Sequence, residues 1–473
     1  MTQTISRRGL LAAPLAFAIH SSAKTIEVRI KEIRASYEDF LYRTPIKFGG
    51  NIVDKVTMLN VHTIIEDGLG RSQRGFSAMS MGNVWSFPSK LMSYEQTLHA
   101  MKLLSSEVER ITNASGATGH PVDINVALED QYLAAAARLS REQKWKQAIP
   151  KLCSLVVVSP FDAAIHDAYG KLLGRGAYQT YGPDCMRKDL SHYIGSEFKG
   201  EYLSRYVLPR PKPLMPLYHL VGAVDPIFPT DVQKPVGDGL PENLPEWIRF
   251  NGLRNIKIKL NGEDAKWDIE RVLRVHACCA ENMPAIQRKD WVYSLDFNEK
   301  CPNVAYLLDV LNQIEAKSAG AYRRIQYIEQ PTRRDLKADR ANVMHEAAKR
   351  KPVVIDESLT EKESLMLSRE MGYSGAALKA CKGQTQALLM AAVAQKYKMF
   401  LCVQDLTCPG ASLIHSAGLA AHVPGVAAIE ANARQYVPVA NKDWVARFPG
   451  IFDIKDGFVR TSELRGKGLS AVA

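Results

Sequence analysis

The sequence predicts a barrel of alternating β-strands and α-helices behind a smaller α+β domain. Three observations predict it. Eight short apolar runs rich in β-branched residues recur between 216 and 430. Helical patterns fill most of the gaps between them, which favours a closed barrel over an open sheet. Ahead of this region, strand patterns come first and helical patterns after, as in an α+β unit.

The elements follow in order. Residues 25–35 alternate as a strand does, and VTMLNVHTIIEDGLGRSQRGF alternates again around the turn signal Glu66-Asp67-Gly68. Between them, RTPIKFGG (43–50) reads as a turn-rich loop. Helical periodicity covers 94–112 and 130–145. SPFDAAIHDAYGKLLGRGAYQTYG then sets Phe161, Ala164, Ile165, Ala168, Leu172 and Leu173 on one helical face, which Gly174 and Gly176 end. The proline-rich LPRPKPLMP (208–216) introduces the second unit.

In that unit, strands are expected near 216–220, 255–260, 291–296, 325–329, 352–356, 376–379, 399–403 and 427–430. Helices are expected over 269–280, 304–316, 384–396 and 412–422, and the Pro- and Gly-rich 231–245 as a surface loop. No solenoid-type repeat interrupts the pattern.

Composition narrows the function. A chain of 473 residues has room for a large barrel and a second domain. Its 46% hydrophobic and 23% charged residues are ordinary for a globular protein. No apolar run reaches the roughly 18 residues of a membrane span. The formal charge is +11, but the Lys and Arg are scattered, with no basic stripe interleaved with aromatics. Nucleic acid is therefore not an expected partner, and the excess base gives a mild pull on anionic substrates.

The N-terminus reads MTQTISRRGLLAAPLAFAIHSSAKT. Arg7 and Arg8 precede an apolar stretch from Gly9 to Ile19, and Ser21-Ser22-Ala23 supply small residues for cleavage before Lys24. Ser6-Arg7-Arg8-Gly9-Leu10-Leu11 resembles a bacterial twin-arginine export signal. It implies a periplasmic or secreted protein with no membrane attachment after signal removal, or a cytoplasmic one if the leader does not function. That route carries folded proteins, so the eight scattered cysteines, none in CxxC spacing, are expected as buried free thiols. The expected organisation is a leader at 1–23, a first domain at 24–165, a barrel at 210–440, and a tail at 440–473 that completes the first domain.

The chemistry-bearing residues sit at strand ends. Asp296 in YSLDFNEK, Glu329 in IQYIEQPT and Asp356 in VVIDESLT each stand where an apolar run stops. In an alternating barrel the C-terminal strand ends converge on one face, where active sites form. Three carboxylates meeting there repel unless a hard cation lies between them, and Mg²⁺ takes oxygen ligands while keeping positions open for substrate. Lys257 and Lys259 in NIKIKLNG share one face of the second strand, and Lys379 in GAALKACKGQT ends the sixth. Amines on strands two and six flank whatever the carboxylates hold. Like-charge repulsion between Lys257 and Lys259 is expected to depress their pKa values. For any single carboxylate a helix N-cap is the simpler role, and for the lysines a salt bridge to these acids; three in order between two lysine sites favour a joint one.

The ordered set KIK, DFN, IEQP, DES and LKACKG resembles the enolase superfamily, in its muconate-lactonizing-enzyme-like, lysine–lysine branch of the mandelate racemase/muconate lactonizing enzyme family. Its lysine bases with Mg²⁺ are a known pattern. FDAAIHDAYGKLLG resembles the helix that leads from that family's capping domain into its barrel, and the likeness runs from about Thr25 to the C-terminus. The resemblance implies a modified TIM barrel, (β/α)7β, with an N-terminal α+β capping domain. It implies Asp296, Glu329 and Asp356 as Mg²⁺ ligands, Lys259 and Lys379 as acid–base catalysts, and Lys257 as their assistant.

The reaction it implies is abstraction of the α-proton of a small carboxylate substrate through an enediolate. Racemisation, epimerisation or cycloisomerisation comes first, and sugar-acid dehydration is the alternative. A non-catalytic binding protein on the same barrel would lack a ligand or a lysine, and none is lacking. A homo-oligomer is a further implication.

Two departures bear on the substrate. Strand seven ends LCVQDLT, without the histidine of mandelate-racemase-like members, and His415 on the next helix reads as packing. Strand eight ends IEANARQY, where dipeptide epimerases of the lysine branch carry Asp-x-Asp; an α-amino-bearing dipeptide is disfavoured. Glu430 either binds a substrate hydroxyl or amide or closes the barrel. Asn298, Asp405 and Glu430 are the candidate substrate-side residues, and Arg434 and Lys382 weaker candidates for a distal anion. Met81, Trp85 and Phe87 either line a lid or pack the first domain onto the barrel.

Overall fold

The computed structural model describes residues 25–48 and 51–470; the leader motif at 1–23 lies outside the described residues. The first domain begins with β1 (Val28–Phe48), β2 (Asn51–Asp67) and β3 (Ser72–Ser80), an antiparallel meander. The short β4 (Thr118–Gly119) pairs with the far edge of β1. Here one expectation fails. Residues 43–48 are not a loop but the end of a long two-stranded arm, in which Ile46 pairs with Val53 and Phe48 with Asn51. The ladder breaks register between Ile30 and Glu32 and again between Leu41 and Ile46. Pro45 lacks the N–H a ladder needs, and the irregularity absorbs it without ending the strand.

Four helices, α1 (Asn83–Ser86), α2 (Tyr94–Ala114), α3 (Pro121–Glu142) and α4 (Lys151–Leu172), complete the domain. A capping box starts α2: the Ser93 hydroxyl accepts from the Gln96 amide, and the Gln96 side chain accepts from the Ser93 amide. α3 starts well before the expected residue 130. Its cap is the His120 imidazole, which accepts from the Val122 amide, and a histidine is not among the residues that announce a helix start. α4 also starts early and carries Pro160 inside it. Nearly all of its residues from Leu152 to Gly170 are buried, so no polar stripe marks it in the sequence. Through Asp162 it accepts hydrogen bonds from the Thr385 amide (2.7 Å) and hydroxyl (2.8 Å), which fixes the first domain to the barrel.

The barrel strands are β5 (Leu214–Val221), β6 (Asn255–Lys259), β7 (Val292–Asp296), β8 (Ile325–Glu329), β9 (Val353–Ile355), β10 (Gly375–Leu378), β11 (Phe400–Val403) and β12 (Val426–Glu430). All eight fall within two residues of the sequence reading. They are parallel and neighbour one another in chain order. The ring closes where Ile429 and Glu430 of β12 meet Leu217 and Tyr218 of β5. Tyr218, Tyr327, Val354, Ala377, Cys402 and Ala428 fill its interior. The helices Ala265–Asn282, Val304–Lys317, Gln384–Lys396 and Ala411–His422 surround it, and 232–243 is irregular, as expected.

The tail touches both units. β13 (Phe458–Arg460) pairs antiparallel with β5. Trp444 stacks on Phe76 of β3 with ring centres 6.3 Å apart, and the Leu469 amide donates to Asp167 of α4 at 2.8 Å. All eight cysteines are free and buried. Among the described residues, no helix is long and apolar enough to cross a membrane.

Candidate active site

Register brings the predicted residues together. Lys259 of β6 pairs directly with Asp296 of β7, and Asp296 with Glu329 of β8, so the three lie in one layer at the C-terminal strand ends. Asp356 follows β9, Lys379 follows β10, Gln404 and Asp405 follow β11, and Glu430 ends β12. Lys257, two residues below Lys259 on the same face, pairs with Ser294 and Leu220.

Lys257 is the centre of this layer. Its Nζ donates to Glu329 Oε1 (2.9 Å), Gln404 Oε1 (2.8 Å) and Glu430 Oε2 (3.0 Å), and lies 3.0 Å from Asp296 Oδ2. Lys259 Nζ is 2.5 Å from Asp296 Oδ2. Lys379 Nζ is 2.9 Å from Asp356 Oδ2 and donates to the Asp405 carbonyl. Lys382, after β10, donates to both the carbonyl and the carboxylate of Asp356. The group is sealed from solvent: Lys257 is 1% exposed, Lys259 and Lys379 4% each, and the three strand-end carboxylates 1% each.

Burial and charge set the protonation. Burial would raise Asp296, but Lys257 and Lys259 outweigh it and hold the carboxyl well below its usual range. Burial also opposes the ionised form of Asp356, and Lys379 and Lys382 overcome it. Glu329 goes the other way: burial, then the neighbouring Asp296 charge, pushes it well up. Glu357 rises to about 7 through burial and the charge of Asp356, and Asp405 to about 6 through burial and Glu430.

The expected depression of Lys257 by Lys259 is not what the surroundings produce. Burial does lower Lys257, but Asp296, Glu329 and Glu430 together raise it well above its ordinary value. Lys379 is likewise raised, with Asp356 overcoming burial. Lys382 is lowered, burial outweighing Asp356.

The donor set suits a divalent cation. Six buried carboxyls (Asp296, Glu329, Asp356, Glu357, Asp405, Glu430) face four buried lysines (Lys257, Lys259, Lys379, Lys382). Glu329 Oε2 and Glu357 Oε2 are buried acceptors with no hydrogen-bond partner among the described residues. Among the described residues, however, no three His, Cys, Asp or Glu side chains stand close enough to form a ready metal cage. Lysine ammoniums lie between the carboxylates and hold them apart.

The first domain roofs the layer. Trp85 of α1 donates its indole N–H to Glu357 Oε1 (2.9 Å), and its backbone carbonyl accepts from Arg334 (3.1 Å). Its ring centre lies 4.1 Å from Lys379 Nζ. Trp85, Met81 and Phe87 all pack in the hydrophobic core, and Trp85 lines the site as well. Tyr42, on the long arm, lies beside Thr407 and Asp405.

The remaining candidates divide. Asn298 accompanies the site, donating its side-chain amide to Glu357 (3.3 Å) and its backbone amide to Asp296 (2.9 Å). Asp405 accepts from the amides of Leu406, Cys408 and Asn432, and so shapes the turn after β11. Glu430 pairs with Lys257 and accepts from Asn432, whose own Oδ1 is buried without a hydrogen-bond partner among the described residues. Lys382 is in the site. Arg434 is not, since it donates to the Phe452 carbonyl and to Asn251. His415 is buried against Gln384.

Sequence reasoning missed Tyr42, Glu357 and Arg334. Glu357, next to Asp356 in DES, was the one with a visible signal. Beside the layer, a cavity of about 310 Å³ opens at the C-terminal end of β5, between Pro45, Val221, Trp247 and Tyr436.

Comparisons with known proteins bear on this arrangement. Residues 240–472 match the family model described as enolase C-terminal domain-like. No curated protein matches the chain. Several solved structures do. An enolase from Bradyrhizobium complexed with magnesium and mandelic acid is 15% identical, over 94% of this chain and 96% of that one, with a TM-score of 0.58. A muconate lactonizing enzyme from Pseudomonas fluorescens complexed with muconolactone is 17% identical, over 93% and 95%, at 0.58. A dipeptide epimerase from Enterococcus faecalis V583 complexed with Mg and the dipeptide L-Leu-L-Tyr is 15% identical, over 93% and 99%, at 0.59. At these identities the likeness establishes the fold.

Proposed function

We propose, from the premise that residues 240–472 match the enolase C-terminal domain-like family model, that this protein is a Mg²⁺-dependent enzyme that removes the α-proton of a small carboxylate substrate. The reaction is a racemisation, an epimerisation or a cycloisomerisation. One observation carries the reading. Lys259 on β6 and Lys379 after β10 stand on opposite sides of the strands that bear Asp296, Glu329 and Asp356.

Asp296, Glu329 and Asp356 would hold the metal. A Mg²⁺ ion held by them would supply positive charge to offset the charge that grows on the substrate carboxylate as the α-proton leaves. The proteins of like fold crystallised with magnesium and mandelic acid, or with Mg and a dipeptide, support both the cation and a carboxylate substrate. One lysine, as the neutral amine, takes the proton from one face of the α-carbon, and the other delivers a proton to the opposite face. A general base needs a pKa near the working pH. Asp356 now holds Lys379 as an ammonium, and engagement of that carboxylate elsewhere would ease release of the proton. Lys257, tied to Glu329, Gln404 and Glu430, stays charged and orients the carboxylate layer.

Asn432 Oδ1, buried and without a hydrogen-bond partner among the described residues, suits a donor on the far end of the substrate.

Proton NMR in D₂O with Mg²⁺ tests the reading, using N-acyl amino acids, dipeptides, lactone precursors and acid sugars. Loss of an α-proton signal that needs Mg²⁺ and disappears in Lys259→Ala or Lys379→Ala is the expected result. Exchange that persists in both variants would overturn it.

A further inference from the structure

At the opposite end of the barrel, the N-terminal ends of β5 to β8 open into a cavity of about 870 Å³, with Pro216, Asn255, Val292 and Gln326 at its floor. The charged groups around it are unbalanced. Arg254, Arg323, Arg324 and His276 line it against a single carboxylate, Asp290. That carboxylate is 77% exposed and is divided between Arg254 at 3.0 Å and Arg288 at 3.8 Å. The side chain of Arg323 makes no hydrogen bond or ion pair among the described residues.

Two of the guanidinium groups are fixed rather than dispersed into solvent. Arg324 lies flat on Trp291, its Cζ 3.3 Å from the ring centre, and donates to the carbonyls of Trp291 (2.8 Å) and Lys289 (3.3 Å). Arg254 sits over Phe458 and donates to the Asp456 carbonyl at 2.9 Å. These anchors use only part of each fork, and both guanidiniums keep N–H groups free to donate. Like charges crowd one another here. Burial and then Arg254 push Arg288 down, and burial and then Arg324 push His276 down. An array of fixed arginines with too little negative charge is complementary to a multiply charged oxyanion, which a guanidinium fork binds through paired N–H···O contacts.

We propose that this basin is a second ligand site, which binds a phosphate group, free or carried on a small molecule, through Arg254, Arg323 and Arg324. It lies on the barrel face away from the carboxylate layer and does not depend on the reaction proposed there.

Calorimetric titration of the full-length protein tests this, with inorganic phosphate and glycerol phosphate as probes, on wild type, Arg323→Gln and Arg254→Gln/Arg323→Gln. Wild type should show one saturable site. Loss of one charged hydrogen-bonding partner should weaken it about tenfold or more in Arg323→Gln, and further in the double variant. Arg323 is exposed and makes no ion pair, so its replacement should leave the fold intact, as circular dichroism would verify. Tighter binding of glycerol phosphate would assign the site to a phosphorylated small molecule, and tighter binding of inorganic phosphate to the free ion. The absence of saturable binding up to about 20 mM of either probe, a level at which even weak sites of this kind fill, would overturn the proposal. So would equal binding by wild type and both variants.

Discussion

The Lys379 ammonium lies 4.1 Å from the centre of the Trp85 ring, so the first domain touches one of the two proposed acid–base lysines directly. The same indole donates to Glu357, and Arg334 holds its carbonyl. Trp85 therefore joins the loops after β9 and β10 through its side chain and the loop after β8 through its backbone carbonyl. A cation over an indole face is worth about 0.5–2 kcal/mol. Trp85→Leu should slow α-proton exchange through Lys379 roughly 2- to 30-fold. Trp85→Phe, which keeps a ring face but loses the N–H, should lose less. Exchange rates for each enantiomer in D₂O measure both.

Replacing Lys257 should cost stability before it costs anything else. Its ammonium answers Asp296, Glu329 and Glu430, and removing it leaves buried charge uncompensated. Breaking a buried ion pair from one side costs about 3–5 kcal/mol. Urea unfolding of Lys257→Met should show a lowered midpoint with an unchanged slope. A midpoint equal to wild type would refute the structural role.

Stability of the metal-free protein should fall as pH rises through neutrality. Burial and Asp356 lift Glu357 from 4.5 to about 7. Because the folded state binds this proton more tightly than the unfolded one, its contribution is fully present below about pH 4.5. It is lost as pH climbs through about 7, and is on the order of 3 kcal/mol across that window. Asp405, lifted to about 6, acts in the same direction. Melting curves between pH 4.5 and 8 should steepen this loss in wild type and flatten it in Glu357→Gln, which keeps an acceptor for Trp85.

Magnesium should counter that loss. A ligand held only by the folded state adds about 2.7 kcal/mol at a hundred times its dissociation constant. Melting temperature should therefore rise with Mg²⁺ in wild type and stay flat in Asp356→Asn and Glu329→Gln. Equal shifts in wild type and variants would remove these residues from the metal site.

The leader predicts its own experiment. Changing both Arg7 and Arg8 to Lys should leave the protein in the cytoplasm of a bacterial host, where fractionation with the wild-type chain as reference would find it. Equal export of both chains would exclude the twin-arginine reading.

The barrel was legible in the sequence because its signals are local. A buried parallel strand is a short apolar run, and each catalytic candidate stops one. Asp296, Glu329 and Asp356 could be named without a structure because strand ends converge in any such barrel. What could not be read depends on contacts between distant segments. Trp85 and Glu357 are 272 positions apart, and nothing near Trp85 says which barrel loop it meets. The start of α4 was hidden because the helix is buried on every side. The charge state of Lys257 was misjudged because only its neighbour Lys259 is visible along the strand, whereas Glu329 and Glu430 arrive from β8 and β12.

The tail ties the two units to one another. Asp167, wholly buried in α4, accepts from Phe76 of β3 and from Leu469, 302 positions downstream. β13, which edges the first barrel strand, belongs to the same distant stretch. Neither unit is therefore a self-contained block, since each borrows a partner from residues far along the chain. Removing 458–470 should injure the first domain as well as the barrel, although none of its own strands and helices is touched.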